Sequence, residues 1–310
     1  GDEVIVTSYS WISTASCILM QNAVPVFCDI ELISLGACST DIEKKITENT
    51  KAIIITHMFG YPARINNILE VGKKFNIPVI EDSSHAFGAS VSNNKLGSFG
   101  EISVFSLHQR KSLPVGDGGI VCTSNETIRD KIYRLRSFGD KELSYNYRMT
   151  EFAGALGQVG LRKIDNDNKI RNDHFKLFKK NLKNIDCLYI LSPQKKEYSV
   201  FYATLLILKK NIDNLENKLK KLNELGIPIR KTWAPLNQHS HFNPTSSISR
   251  GIPWKLNEYN GSMKNVNYKS IDLPNVKKYC PSKVLELYLH PNVDKSLVKF
   301  SAKQIGDILI

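Results

Sequence analysis

The feature that most restricts this chain is the alternation, through its first half, of short β-branched runs with helix-patterned segments. Residues 4–8 (VIVTS) read as a strand and 14–21 as a helix. Residues 24–29 read as a strand, and 41–48, behind the cluster Ser39-Thr40-Asp41, as a helix with capping residues at its start. The apolar run 51–57 (KAIIITH) is that of a strand buried on both faces. Ile65–Phe75 carries helical spacing through Ile65, Ile68, Leu69 and Phe75. Strands at 77–82, 101–106 and 119–123 follow, then a helix over 126–138. Strands joined through single helices pair in parallel, with right-handed crossovers. The expectation is an α/β fold with a mostly parallel central sheet.

The second half reads differently. A helical pattern runs from Thr150 well past the usual helix length, its apolar start expected to be buried and its later turns to form an exposed link. Residues 201–208 read as a strand, 212–225 as an amphipathic helix, 227–230 as a short strand, 235–281 as irregular and 301–309 as a closing helix. A length of 310 residues suits about two domains at roughly 100–200 residues each. The division expected is a large α/β domain at 1–164 and a small C-terminal α+β domain at 165–310.

Composition narrows the class of function. With 42% hydrophobic and 23% charged residues the chain is that of an ordinary globular protein. Its net charge of +12 could attract nucleic acid or anionic surfaces, but the basic runs lie among Asn, Asp and Glu as on helix exteriors, and no basic stripe is interleaved with stacking aromatics. Nucleic acid is therefore not expected as a partner. No apolar run reaches the roughly 18 residues of a membrane span, so no membrane association is expected either. The six cysteines are scattered without a CxxC pair, which suits a reducing cytoplasm. His239 and His241 form an HxH without acidic or cysteine partners nearby, so no metal site is expected.

In an open parallel sheet, ligands gather at the carboxyl ends of the strands. There the chain places Glu81-Asp82 followed by Ser83-Ser84-His85, Ser106 with Lys111 shortly after, and Thr7 through Trp11. An acid, a lysine, a hydroxyl and an aromatic meet the needs of pyridoxal 5'-phosphate (PLP). Its aldehyde takes a lysine amine, its pyridine nitrogen a carboxylate, its ring an aromatic face and its phosphate hydroxyls. Acids at strand ends serve many other purposes, so this set by itself does not decide the chemistry.

The ordered segments GDEVIVTSYSWISTA, AVPVFCDI, TKAIIITHMFGYPA, IPVIEDSSHAFGA, LGSFGEISVFSLHQRKSLPVGDGGIV and YNYRMTEFAGALG resemble the DegT/DnrJ/EryC1/StrS family of PLP-dependent sugar aminotransferases. The resemblance runs from Gly1 to about residue 165 and continues more loosely through GIPIRKTWAPL. It implies a fold-type-I transferase in which Lys111 is the Schiff-base lysine and proton carrier. Asp82 is then the partner of the pyridine nitrogen, Trp11 the stacking aromatic and Ser106 a phosphate contact, with His85 beside the cofactor. It implies that Asn146 reaches the neighbouring subunit's site in a homodimer, with Arg148 structural. Arg230, Lys231 and Trp233 are candidates for contacting a nucleotide-linked sugar. The glycines of GDGG at 116–119 lack Walker spacing and read as a turn, and His108 as part of the same loop.

The implied activity is amino transfer, with L-glutamate the family's usual donor, to a nucleotide-linked keto-sugar for surface-polysaccharide or related assembly. Relatives carry a Ser-Gly-Thr-Ala phosphate-binding segment upstream of GDEVI, where this chain begins. The other expectation kept open is thus a truncated, impaired homologue with a structural or regulatory role. Relatives that dehydrate replace the lysine with histidine, and Lys111 argues for transamination.

Overall fold

The computed structural model describes residues 1–137, 139, 142–182, 185–245 and 251–309. The first half is built from β1 (Glu3–Thr7), α1 (Ser13–Met20), β2 (Val24–Cys28), α2 (Ser39–Lys45), β3 (Thr50–Thr56), α3 (Ile65–Phe75) and β4 (Val79–Asp82). A small hairpin follows, β5 (Ser90–Val91) with β6 (Asn94–Lys95), then β7 (Ile102–Ser106), β8 (Gly119–Cys122) and α4 (Glu126–Leu135). The central sheet has the order β2-β1-β3-β4-β7-β8. Every pairing in it is parallel except β7 with β8, which a loop rather than a helix connects. β4 starts after Pro78 rather than at Ile77, since proline has no N–H for the ladder. Its carbonyl still accepts from the Ile53 amide at 3.0 Å.

The second half comprises α5 (Glu151–Asn181), β9 (Leu188–Ile190), β10 (Glu197–Tyr198), β11 (Thr204–Leu208), α6 (Leu215–Glu224), β12 (Ile229–Lys231), α7 (Pro274–Tyr279), β13 (Val284–Leu287) and α8 (Lys295–Leu309). An antiparallel sheet of order β12-β13-β11-β9 packs on α6 and α8 through Leu206, Leu219, Ile229, Leu285 and Ile305. Strands β9 and β13 are not among the expected strands.

One expectation is corrected here. The burial of the 31-residue helix α5 is the reverse of the pattern expected. Its early apolar residues Phe152, Leu156, Val159 and Leu161 are exposed, whereas Asn168, Arg171, His174, Phe175 and Phe178 farther along are buried. The second half of the helix is the part covered, because α8 and the small sheet pack on it. The first half buries Ala153 and Ile164 in a cluster with Leu113 and Val115.

The irregular segment after Pro235 also returns to the large sheet. Asn275 and Val276 donate their amides to Asp29 at 3.0 and 2.9 Å, so a carboxylate at the end of β2 caps α7. Tyr259 donates to Glu3 at 2.9 Å, and Tyr268 to the Pro25 carbonyl.

Glu81, fully buried on β4, is the main polar anchor of the central sheet. Its two oxygens accept the amides of Gly97, Phe99 and Gly100 at 2.7–2.8 Å. His57 Nε2 lies 3.1 Å from the same carboxylate. The Ala63 amide donates to His57 Nδ1, so the proton sits on Nε2 and is given to Glu81. Burial alone would raise the Glu81 pKa; the His57 contact and the backbone donors outweigh it and hold the carboxyl below its ordinary value. Glu81→Ala leaves several buried donors without an acceptor, each at about 1–3 kcal/mol, so a loss of at least ~3 kcal/mol is expected by urea unfolding.

Candidate active site

The carboxyl ends of β1, β3, β4 and β7 open onto a single cleft of about 950 Å³. Period-two alternation along β4 sends Glu81 to the sheet's anchoring face and Asp82 into the cleft. Asp82 is 8% exposed, and its Oδ2 accepts from the Thr14 hydroxyl at 2.7 Å. Thr14 in turn lies 2.8 Å from the Ser10 hydroxyl, which reaches Thr56 at 3.0 Å. The Ser84 amide donates to Asp82 Oδ1 at 3.1 Å. Three strand ends and the start of α1 thereby fix the carboxylate's orientation.

Lys111 enters from the loop after β7, its amide held by the His108 carbonyl at 2.8 Å. Its Nζ sits 5.5 Å from the centre of the Tyr202 ring and makes no salt bridge among the described residues. Burial pushes the Lys111 pKa below the ordinary lysine value, and the Asp82 charge draws it partly back up. A lysine in this state gives up its proton more readily than a solvated one.

His85 lies flat against Tyr202, with ring centres 4.3 Å apart and planes 3° from parallel. Burial, with Lys111 adding repulsion, holds the His85 pKa well below its usual value, so the imidazole is neutral. Its Nδ1 is buried without a hydrogen-bond partner. The stack depends on Gly60, at φ +86°, where an added Cβ would stand 3.0 Å from both the His85 carbonyl and the Tyr202 amide. The Gly60 carbonyl also accepts from Ser199 Oγ and the Val200 amide, which stitches the Tyr202 segment to the loop after β3.

Asp82, His85, Trp11, Ser106, Lys111, Arg230 and Trp233 all line this cleft. Trp11 is 55% exposed and meets Trp233 edge-on at 5.6 Å, while Trp233 donates Nε1–H to the Ser10 carbonyl at 2.9 Å. Ser106 Oγ accepts from the His108 amide at 3.3 Å. Lys231 and Asn146 are not among the lining residues. Strand alternation turns Lys231 to the opposite face from Arg230, where it pairs with Glu216 of α6. Asn146 is exposed, with Arg148 Nε 3.4 Å from its Oδ1. His239 and His241 bring their Nδ1 atoms within 2.7 Å on the surface. No metal-holding group of three or more His, Cys, Asp or Glu occurs among the described residues.

Sequence reasoning missed Thr14, Tyr202, Tyr288 and Arg171 as cleft or supporting residues. Thr14 sits inside the SWISTA segment, so its proximity to the β1 end was a usable signal. Arg171 comes from helix α5, and Tyr202 and Tyr288 flank the antiparallel strands β11 and β13, elements to which the strand-end rule does not apply.

These residues fit PLP by their chemistry. A buried carboxylate, a lysine without an acidic partner and a neutral imidazole with an orphaned nitrogen share one cleft with hydroxyls. Asp82→Asn removes the charge that raises the Lys111 pKa. The amine of that variant is expected to titrate at lower pH than in the parent, as read from NMR of reductively methylated Lys111 against pH.

Residues 1–253 match the model of the DegT/DnrJ/EryC1/StrS aminotransferase family. An uncharacterized protein of Methanocaldococcus jannaschii is 32% identical over 81% of this chain and 70% of its own length. The GDP-perosamine synthase of Escherichia coli is 31% identical over 82% of this chain and 72% of its own. Among solved structures, the Helicobacter pylori aminotransferase PseC, involved in pseudaminic acid biosynthesis, superposes with a TM-score of 0.87 at 24% identity, covering 99% of this chain and 80% of that one. The α/β architecture is accordingly that of fold-type-I, PLP-dependent enzymes. With the family model spanning most of its length, this chain belongs to the DegT/DnrJ/EryC1/StrS aminotransferases.

Proposed function

We propose that the chain transfers an amino group from L-glutamate to the carbonyl of a nucleotide-linked keto-sugar. The observation that carries this reading is the pairing, in one cleft, of a hydrogen-bonded carboxylate, Asp82, with a lysine of lowered pKa, Lys111. Two relatives support the substrate class by name. One is the GDP-perosamine synthase; the other is the dTDP-4-amino-4,6-dideoxy-D-glucose transaminase of Shigella dysenteriae, 32% identical over 71% of this chain and 63% of its own length.

When bound, PLP supplies the electron sink that stabilises negative charge at the donor's Cα. Asp82, kept oriented by Thr14 and the Ser84 amide, would be the carboxylate that pairs with the pyridine nitrogen and favours its protonated form. Lys111 Nζ would hold the cofactor, and its amine, free of a salt bridge among the described residues, would serve as the base that moves the proton at the donor's Cα. Its lowered pKa suits that base role. His85 and Trp11, which line the same cleft, would flank the cofactor ring, and Ser106 would bond its phosphate. Arg230 and Trp233 line the part of the cleft proposed for the sugar nucleotide. With all six cysteines unpaired, a reducing cytoplasm suits the chain.

The working unit is proposed to be a homodimer in which Asn146 reaches the neighbouring cleft. The exposed Phe152, Leu156 and Val159 at the start of α5 continue from the exposed Tyr145, Tyr147 and Met149, and α4 has no buried residue. An apolar surface of this kind is one that a second copy would cover. Phe152→Glu with Leu156→Glu is expected to shift the sedimenting species from dimer to monomer; a monomeric parent chain overturns this part.

For the chemistry, added PLP is expected to give the parent chain a protein-bound visible absorption band that L-glutamate bleaches. Lys111→Ala is expected to leave only the spectrum of free cofactor. A parent chain without the band, or a variant that keeps it, overturns the assignment of Lys111.

A further inference from the structure

Glu286 is the least expected residue of the small sheet. It lies on β13 within the run VLEL, between the buried Leu285 and Leu287, and is itself fully buried. β13 is an interior strand flanked by β12 and β11, and its register puts Glu286 opposite Arg230 and Leu205. Directly paired residues share a face, so Glu286 and Arg230 turn to the same side of the sheet. That side carries the cleft, since Arg230 and Tyr288 both line it.

Glu286 Oε1 accepts from Arg230 Nε, and Oε2 has no hydrogen-bond partner. The arginine side chain is 58% exposed while its carboxylate partner is completely buried. Such a pair is a poor device for stability. Desolvating the carboxylate is costly, and an aliphatic side chain would fill the same strand position without that cost. What the pair does achieve is orientation. Binding through Nε fixes the plane of the guanidinium, and Tyr288 holds its outer edge through a 3.5 Å contact from Nη2 to the phenol oxygen. The Tyr288 ring centre lies 5.8 Å from Arg230 Cζ. Tyr288 meets Tyr202 edge-on at 5.7 Å, and Tyr202 is the ring beside Lys111 and His85. An oriented cation therefore stands two aromatic rings away from the lysine amine, on the same cleft wall.

We infer that Glu286 is a positioning residue that presents the free N–H edge of Arg230 to an oxyanion of the substrate. This deepens the sugar-nucleotide reading of the cleft and rests on it. A guanidinium held at Nε, with one Nη2–H directed to Tyr288, keeps Nη1 and its remaining Nη2–H to offer to a phosphate or carboxylate. Two substrates could bring such a group, the nucleotide sugar through its diphosphate and the amino donor through its carboxylate. The separation of Arg230 from Lys111 by Tyr288 and Tyr202 favours the diphosphate, because a donor's α-carboxylate lies one bond from the reacting carbon.

The test is a double-mutant cycle with Glu286→Gln, Arg230→Lys and both together, read by calorimetric binding of GDP, UDP and dTDP, and separately by the L-glutamate concentration that half-saturates bleaching of the PLP band. Each single variant is expected to weaken one of these two readouts about tenfold and leave the other unchanged. The double variant is expected to lose little more than either single one. Loss in the nucleotide arm assigns the oxyanion to the diphosphate, and loss in the glutamate arm assigns it to the donor. Where Glu286→Gln fails to fold, as judged by near-ultraviolet circular dichroism, Glu286→Asp replaces it; it keeps the charge and withdraws it by one methylene. Unchanged values in both arms, additive losses in the double variant, or a parent chain that takes neither probe overturn the inference. Nucleotide binding needs no amino transfer, so that arm is readable apart from the chemistry. Failure of the cycle alone leaves the aminotransferase reading standing.

Discussion

Two adjacent carboxylates at the end of β4 organise most of what surrounds them. Because successive side chains on a strand point to opposite faces, Glu81 and Asp82 cannot serve the same side. Glu81 gathers His57 and the amides of the 97–100 turn, and that turn leads directly into β7. Asp82 gathers Thr14 at the start of α1 and the Ser84 amide. One carboxylate thus fixes the turn that leads to the lysine, and the other fixes the floor of the cleft. A slip of one residue along β4 would exchange them and destroy both arrangements.

The cleft is completed by parts that lie far away in sequence. Tyr202 reaches His85 because Gly60 lets the 199–203 segment approach the loop after β3. Trp233 bonds the Ser10 carbonyl, and Asn237 accepts from Ser8 at 2.8 Å, so the loop after β12 is tied to the loop after β1. The small sheet contributes Arg230 from β12 and, just past the end of the neighbouring β13, Tyr288. The inner end of the cleft is built from parallel strand ends, while its outer end is assembled from the second half of the chain. That division suits an enzyme in which the chemistry stays constant and the substrate is chosen at the rim.

The positions of Lys111, Asp82, His85, Ser106 and Trp11 were legible because a parallel sheet puts its strand ends on one edge, and those ends can be read from hydrophobic runs. The long helix was legible in extent and misjudged in burial. Small and apolar residues at its start satisfy a burial pattern equally well whether the covering surface belongs to this chain or to another copy. Lys231 illustrates a finer limit. Grouped with Arg230 by proximity in sequence, it was parted from it by the pleat of a strand only three residues long.

The order of strands and helices in the first half, and with it the cleft edge, follows from the sequence alone, because period and apolar content are local properties. The pairing of Tyr202 with His85, the turn of Lys231 toward α6 and the joining of Glu286 to Arg230 were decided only in the tertiary structure. Each joins residues distant along the chain or depends on strand register, and neither distance nor register is carried by the residues' own pattern.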